Sequence, residues 1–128
     1  MTNETIKSVK MVALDIDGTL LDSDRKLPKR NIEVIRESIS KGVPVILATG
    51  RTLSTIPQEI LDIGMPYAVT SNGSILVDLQ KMEKIDCLYH TYSDLLWIFE
   101  QIAPLSDHCI FEAFIDGRAY IEKHCFEN

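Results

Sequence analysis

Three short apolar runs, each closing on a polar turn that contains glycine, set the limits on what this chain can fold into. Val9 to Ile16 (VKMVALDI) runs into Gly18, Val43 to Ala48 (VPVILA) into Thr49-Gly50-Arg51, and Tyr67 to Thr70 into Ser71-Asn72-Gly73. Nearly continuous apolar runs of this length are the mark of strands buried on both faces, and the first is expected to be a central strand. Between the first two, Pro28 suits a first helical position, Ile32, Ile35 and Ile39 recur at helical spacing, and Gly42 can cap the end. After Arg51 a second helical stretch is expected through Ile60 to Gly64, with Pro57 in its first turn or kinking it. Strand, helix, strand, helix, strand with short links predicts an open parallel α/β sheet.

From Ser74 the pattern changes. Ser74 to Asp78 and Glu83 to Cys87 flank a polar link and read as an antiparallel pair. Ser93 offers an N-cap for a helix whose Leu95, Phe99 and Ile102 share a face, ending near Pro104. Asp116-Gly117 is a two-residue hairpin signal within His108 to Lys123. The expected division is a first domain over residues 1–87 and the start of a second over 88–128.

Ligands of open α/β sheets bind where loops converge at the carboxyl ends of the strands, and here those ends carry the reactive residues. Alternation along extended backbone sends Asp15 and Asp17 to the same side. Such a carboxylate pair suits phosphoryl transfer: one acid attacks phosphorus, the other moves the proton, and Mg²⁺ neutralises acid and phosphate charge. Thr49 with the Gly50 N–H, and Asn72 with the Gly73 N–H, supply neutral donors for phosphate oxygens. A helix N-terminus after Arg51 would add a favourable dipole.

The strand followed by DIDGTLLDS, the strand VILATGR, and AVTSNG followed by ILVD resemble the Cof-type haloacid dehalogenase-like phosphatases, closely from Lys10 to Asp78. The resemblance implies a Rossmann-like α/β core, here a partial parallel sheet with flanking helices, plus the beginning of an α/β cap domain. It implies Asp15 as the nucleophile that forms an aspartyl-phosphate and as a Mg²⁺ ligand. Asp17 would protonate the leaving alcohol, later activate water, and bind Mg²⁺ through its backbone carbonyl. Thr49 would bond the transferring phosphoryl group, with Gly50, Arg51, Asn72 and Gly73 lining the phosphate and substrate pocket. The implied substrate is a small phosphorylated metabolite such as a sugar phosphate.

Members of that family continue well past this length and re-enter the core with a lysine and an acidic Gly-Asp motif. Lys81, Lys84 and Lys123 do not sit in a matching context, and Asp86, Asp94, Asp107 and Asp116 show no such arrangement. Losing one electrostatic stabiliser typically costs about 10² to 10³ in rate, so little or no turnover is expected from this chain alone. The alternative is a non-catalytic fragment that acts as a binding or complementing half. Unpaired strand edges and apolar cap surface predict self-association.

Other classes are disfavoured. Across 128 residues, 45% hydrophobic and 25% charged, the formal net charge is −6, which opposes a nucleic-acid partner. The polar stretch Met1 to Lys10, and an apolar run broken at Asp15, suit neither a signal peptide nor a membrane span, and a cytoplasmic protein is expected. Cys87, Cys109 and Cys125 form no CxxC pair, so reduced thiols are expected. His108, Cys109, His124 and Cys125 invite a zinc reading, but a two-residue turn at Asp116-Gly117 would put them on opposite hairpin faces. Tyr92, Trp97 and Phe99 read as packing, and Arg25, Lys26, Lys29 and Arg30 as a solvated helix entrance. A phospho-accepting receiver domain would place its acceptor on a later strand.

Overall fold

The computed structural model describes residues 9–105, 111–115 and 118–121. The chain divides into two compact units, Met1–Leu88 and Tyr89–Asn128. The first holds one five-stranded sheet in the order β1 (Val12–Leu14), β2 (Val45–Ala48), β3 (Tyr67–Thr70), β4 (Ile75–Asp78), β5 (Glu83–Cys87). The first three are parallel, with Leu14 opposite Leu47 and Leu47 opposite Ala68. β4 and β5 then extend the same sheet antiparallel, with a register shift between Leu76 and Val77.

The expected α/β core is therefore present, with one correction. β1 is expected to be central, whereas among the described strands it has a neighbour on one side only, and Ala13, Val9 and Met11 are exposed. Apolarity alone does not reveal how many neighbours a strand has. The central place goes to β2 and β3, where Val45, Ile46, Leu47 and Ala68 are buried.

Helix α1 (Lys29–Ser40) links β1 to β2 and turns Ile35 into the core, with Ile32 and Ile39 packed beside it. Pro28 lies just before the helix with extended backbone rather than as its first residue. At the other end the Gly42 N–H donates to the Ile39 carbonyl and the Val43 N–H to the Ser38 carbonyl, with Gly42 at φ +82°. This is a Schellman cap, and its left-handed residue favours glycine. A Cβ at Gly42 would meet nothing within 4 Å, so Gly42→Ala should cost only the left-handed backbone penalty, about 1 kcal/mol. Urea unfolding of the two chains reads that difference.

The stretch after Arg51 differs from the expected long helix. One 3₁₀ turn, Leu53–Thr55, is followed by a break and by the short helix α2 (Gln58–Leu61). Pro57 forces the break, because the residue before proline avoids helical backbone; Ile56 sits at φ −75°, ψ 125°. The Arg36 guanidinium caps the end of this segment by donating to the carbonyls of Asp62 (3.0 Å) and Ile63 (3.2 Å).

The second unit holds helix α3 (Tyr92–Ile102) and the hairpin of β6 (Glu112–Ile115) with β7 (Arg118–Ile121). The N-cap is Thr91, not Ser93: Thr91 Oγ1 accepts from the Asp94 N–H (3.2 Å) and Asp94 Oδ2 accepts from the Thr91 N–H (2.9 Å). That reciprocal pair is a capping box, which Ser93 has no acidic partner to form. Phe99 meets Phe111 edge to face at 5.6 Å. Trp97 and Tyr92 remain exposed, so of the three aromatics read as packing only Phe99 makes a ring contact among the described residues. Asp107, His108, Cys109, Asp116, Gly117, Lys123, His124 and Cys125 lie outside the described residues. No helix among the described residues is long and apolar enough to cross a membrane.

Candidate active site

The carboxyl ends of β1, β2 and β3 lie side by side, and the three glycine turns that follow them meet there. After β1 the chain makes a wide turn closed by two backbone bonds, Leu20 N–H to the Asp15 carbonyl (3.2 Å) and Leu21 N–H to the Ile16 carbonyl (3.0 Å). Ile16 and Leu20 anchor it in the core, and Gly18 takes φ +73° where the chain reverses. With Ile16 turned inward, Asp15 and Asp17 are left exposed on either side of it.

The turns after β2 and β3 are bonded to each other. The Thr49 N–H donates to the Val69 carbonyl (2.9 Å), Ser71 N–H to Arg51 carbonyl (2.9 Å), and Asn72 N–H to Thr49 carbonyl (3.4 Å). Ser71, Asn72 and Gly73 are all at positive φ, 51°, 55° and 97°. Two consecutive non-glycine residues in that region are uncommon and cluster at functional sites. Ala48, Thr49, Gly50, Val69, Asn72 and Gly73 line an open cleft of about 310 Å³, at the small end of the range for small-molecule sites. A Cβ on Gly50 would stand 2.7 Å from Asn72 Oδ1, so any larger residue here would displace the Asn72 amide. Thr49 is buried, and its Oγ1 accepts from the Arg51 N–H (3.2 Å).

The structure thus brings Thr49, Gly50, Asn72 and Gly73 to one cleft. Arg51 instead pairs with an acid: its Nε donates to Asp17 Oδ2 and its Nη2 to Asp17 Oδ1, both at 2.7 Å. Its Nη1 donates to the Thr55 carbonyl (2.9 Å). The Arg51 hydrogen bonds hold the Asp17 carboxyl below the usual carboxylate range, with help from the charges of Arg51 and Arg25. The same bonds to Asp17 push Arg51 further up. Sequence reasoning missed this ion pair, although continuing the Leu14–Leu47 register by three residues sets Asp17 level with Gly50, next to Arg51.

The expected helix dipole after Arg51 is absent, since that segment is a single 3₁₀ turn and α2 is too short and distant in sequence. Two of the described residues outside the motifs have other partners. Lys81 lies 3.6 Å from Asp78 and Asp94 belongs to the helix cap. Among the described residues no three His, Cys, Asp or Glu side chains converge on a metal position. Two exposed carboxylates still suit Mg²⁺, which takes one or two of them and fills its octahedron with waters and substrate phosphate.

A family model described as haloacid dehalogenase-like hydrolase matches residues 12–128. The chain is 40% identical over 72 residues to the Bacillus subtilis 5-amino-6-(5-phospho-D-ribitylamino)uracil phosphatase YcsE, covering 55% of this chain and 28% of that protein. Its fold is shared with BT1666, a haloacid dehalogenase-superfamily phosphatase of Bacteroides thetaiotaomicron, at TM-score 0.80 and 19% identity, covering 96% of this chain and 45% of that one. The subclass IIB sugar phosphatase BT4131 shares it at TM-score 0.73 and 20% identity, covering 88% and 43%. The chain spans 28–35% of the length of three curated relatives it matches.

Proposed function

The chain belongs to the haloacid dehalogenase-like hydrolases, and from that premise we propose that Met1–Leu88 supplies the nucleophile and phosphate cradle of a Mg²⁺-dependent phosphomonoesterase. The observation that carries the proposal is the meeting of three strand-end turns, Asp15 and Asp17 on one and the cleft of Thr49, Gly50, Asn72 and Gly73 on the other two. Tyr89–Asn128 is read as the opening of a cap that selects the substrate.

Asp15 attacks phosphorus and takes the phosphoryl group as an aspartyl-phosphate while the bond to the substrate oxygen breaks. Asp17 gives the leaving alkoxide its proton, then takes one from the water that attacks the same phosphorus and frees Asp15. Thr49 and the N–H groups of Gly50 and Gly73 hold the phosphoryl oxygens without adding negative charge. Mg²⁺, when bound at Asp15 and the Asp17 carbonyl, offsets charge between acid and phosphate. Asp17 is paired with Arg51, a partner that favours its carboxylate form, so it has to exchange that partner for a proton before acting as the acid. The substrate class is a small polyol or sugar phosphate, in line with the ribityl phosphate and sugar phosphate named for YcsE and BT4131.

Titrating inorganic phosphate in the presence of Mg²⁺ should move the backbone amide signals of Thr49, Gly50, Asn72 and Gly73 before any others. Shifts elsewhere, or none, would sink the cradle. Gly50→Ala should push Asn72 aside and weaken phosphate binding about tenfold or more, the worth of one hydrogen bond to a charged group.

A further inference from the structure

The Arg51 fork sits where a cation site would least tolerate it. Three of its nitrogens are bonded, two to Asp17 and one to the Thr55 carbonyl, and its backbone N–H is held by Thr49. The arginine side chain is 29% exposed against 53% for the aspartate, so the positive end is the better fixed of the two. Asp15 adds its negative field at Arg51, and Arg25 adds a second positive field at Asp17. The mouth is thereby partly neutralised by the chain's own cations.

We propose that Arg51 is an internal counter-ion that competes with a divalent cation for the Asp15 and Asp17 mouth, and that phosphate relieves the competition by giving the guanidinium a second partner. The proposal rests on the reading of that mouth as a Mg²⁺ site. The planar fork fits a phosphate as well as a carboxylate, and Arg51 directly follows Thr49 and Gly50 of the phosphate cleft. Without phosphate, Mg²⁺ meets the repulsion of a cation already seated on Asp17. With phosphate, Arg51 can turn to the new anion, and each ligand then favours the other by the same factor.

The test is Mg²⁺ titration of the 128-residue chain and of its Arg51→Gln and Arg51→Lys variants, read by the amide shifts of Asp17, Gly18 and Gly50. Removing the charge should tighten Mg²⁺ binding about tenfold, while the lysine variant stays near the parent. Inorganic phosphate should strengthen Mg²⁺ binding more in the parent than in Arg51→Gln. Equal or weaker Mg²⁺ binding by a folded Arg51→Gln chain overturns the proposal alone. No Mg²⁺ shifts at these amides in either chain overturns it together with the cation-site reading. Should Arg51→Gln fail to fold, the parent's Arg51 Nε–H signal decides: it moves on saturation with Mg²⁺ and phosphate together if the proposal holds, and staying put overturns it.

Discussion

Asp15→Asn is expected to abolish whatever Mg²⁺-dependent release of phosphate from an aryl phosphate the chain shows, because a covalent nucleophile is typically worth about 10⁴ to 10⁶ in rate. Little masks that effect, because the substitution is nearly isosteric and disturbs little else. Asp15 is exposed, its side chain caps nothing, and only its backbone carbonyl closes the turn, by accepting from the Leu20 N–H. An exposed change of this kind usually moves stability by less than about 0.5 kcal/mol, so equal melting curves would confine the loss to chemistry.

The same pair of chains separates the two functional readings. Uncatalysed monoester hydrolysis is so slow that any Mg²⁺-dependent signal above it is informative. A reactive acyl phosphate gives a second readout that does not require full turnover. The parent should carry a phosphoryl adduct on the peptide containing Asp15, and the variant none. Turnover lost in the variant, or an adduct mapped to Asp15, supports the nucleophile. Equal behaviour in both chains would favour a domain that binds phosphate without transferring it.

The residues of the cleft were legible before the fold because each strand end punctuates an apolar run with turn chemistry. Thr49-Gly50 and Asn72-Gly73 stood out in that way, and Gly50 leaves the room that the Asn72 amide occupies. The pairing of Arg51 with Asp17 was not legible from spacing within either motif. It joins residues 34 apart, and only the parallel register of β1 on β2 makes them neighbours. The long helix after Arg51 failed for a local reason, Pro57 overriding the apolar spacing, and the cap at Thr91 was hidden by a serine two residues later that also looks like a cap. The single neighbour of β1 among the described strands is a different kind of miss: strand order is a property of the sheet, carried by no residue of the strand.

Leu47→Ala should be the most damaging single truncation of the first unit, costing about 2 to 5 kcal/mol. Leu47 is fully buried in β2, between Leu14 of β1 and Ala68 of β3, and belongs to the cluster that joins Ile16, Ile35, Ile60 and Met65. No flexible neighbour stands on both sides of it, since sheet partners are fixed by backbone bonds, so collapse into the void should be incomplete. Against a typical domain stability of about 5 to 15 kcal/mol, a loss near the middle of the range would lower Tm by roughly 15 to 30 °C for a unit of this size. Met11, exposed beside β1, is the contrast: Met11→Ala should fall within about 0.5 kcal/mol. Thermal unfolding of both variants would check the burial pattern, and similar losses in the two would contradict it. Because Leu47 stands two residues before Thr49, slackening β2 should also loosen the turn that carries Gly50 and Arg51. The Leu47→Ala chain should therefore bind phosphate more weakly even below its melting temperature, which separates a frame that positions the cleft from one that merely lies beneath it.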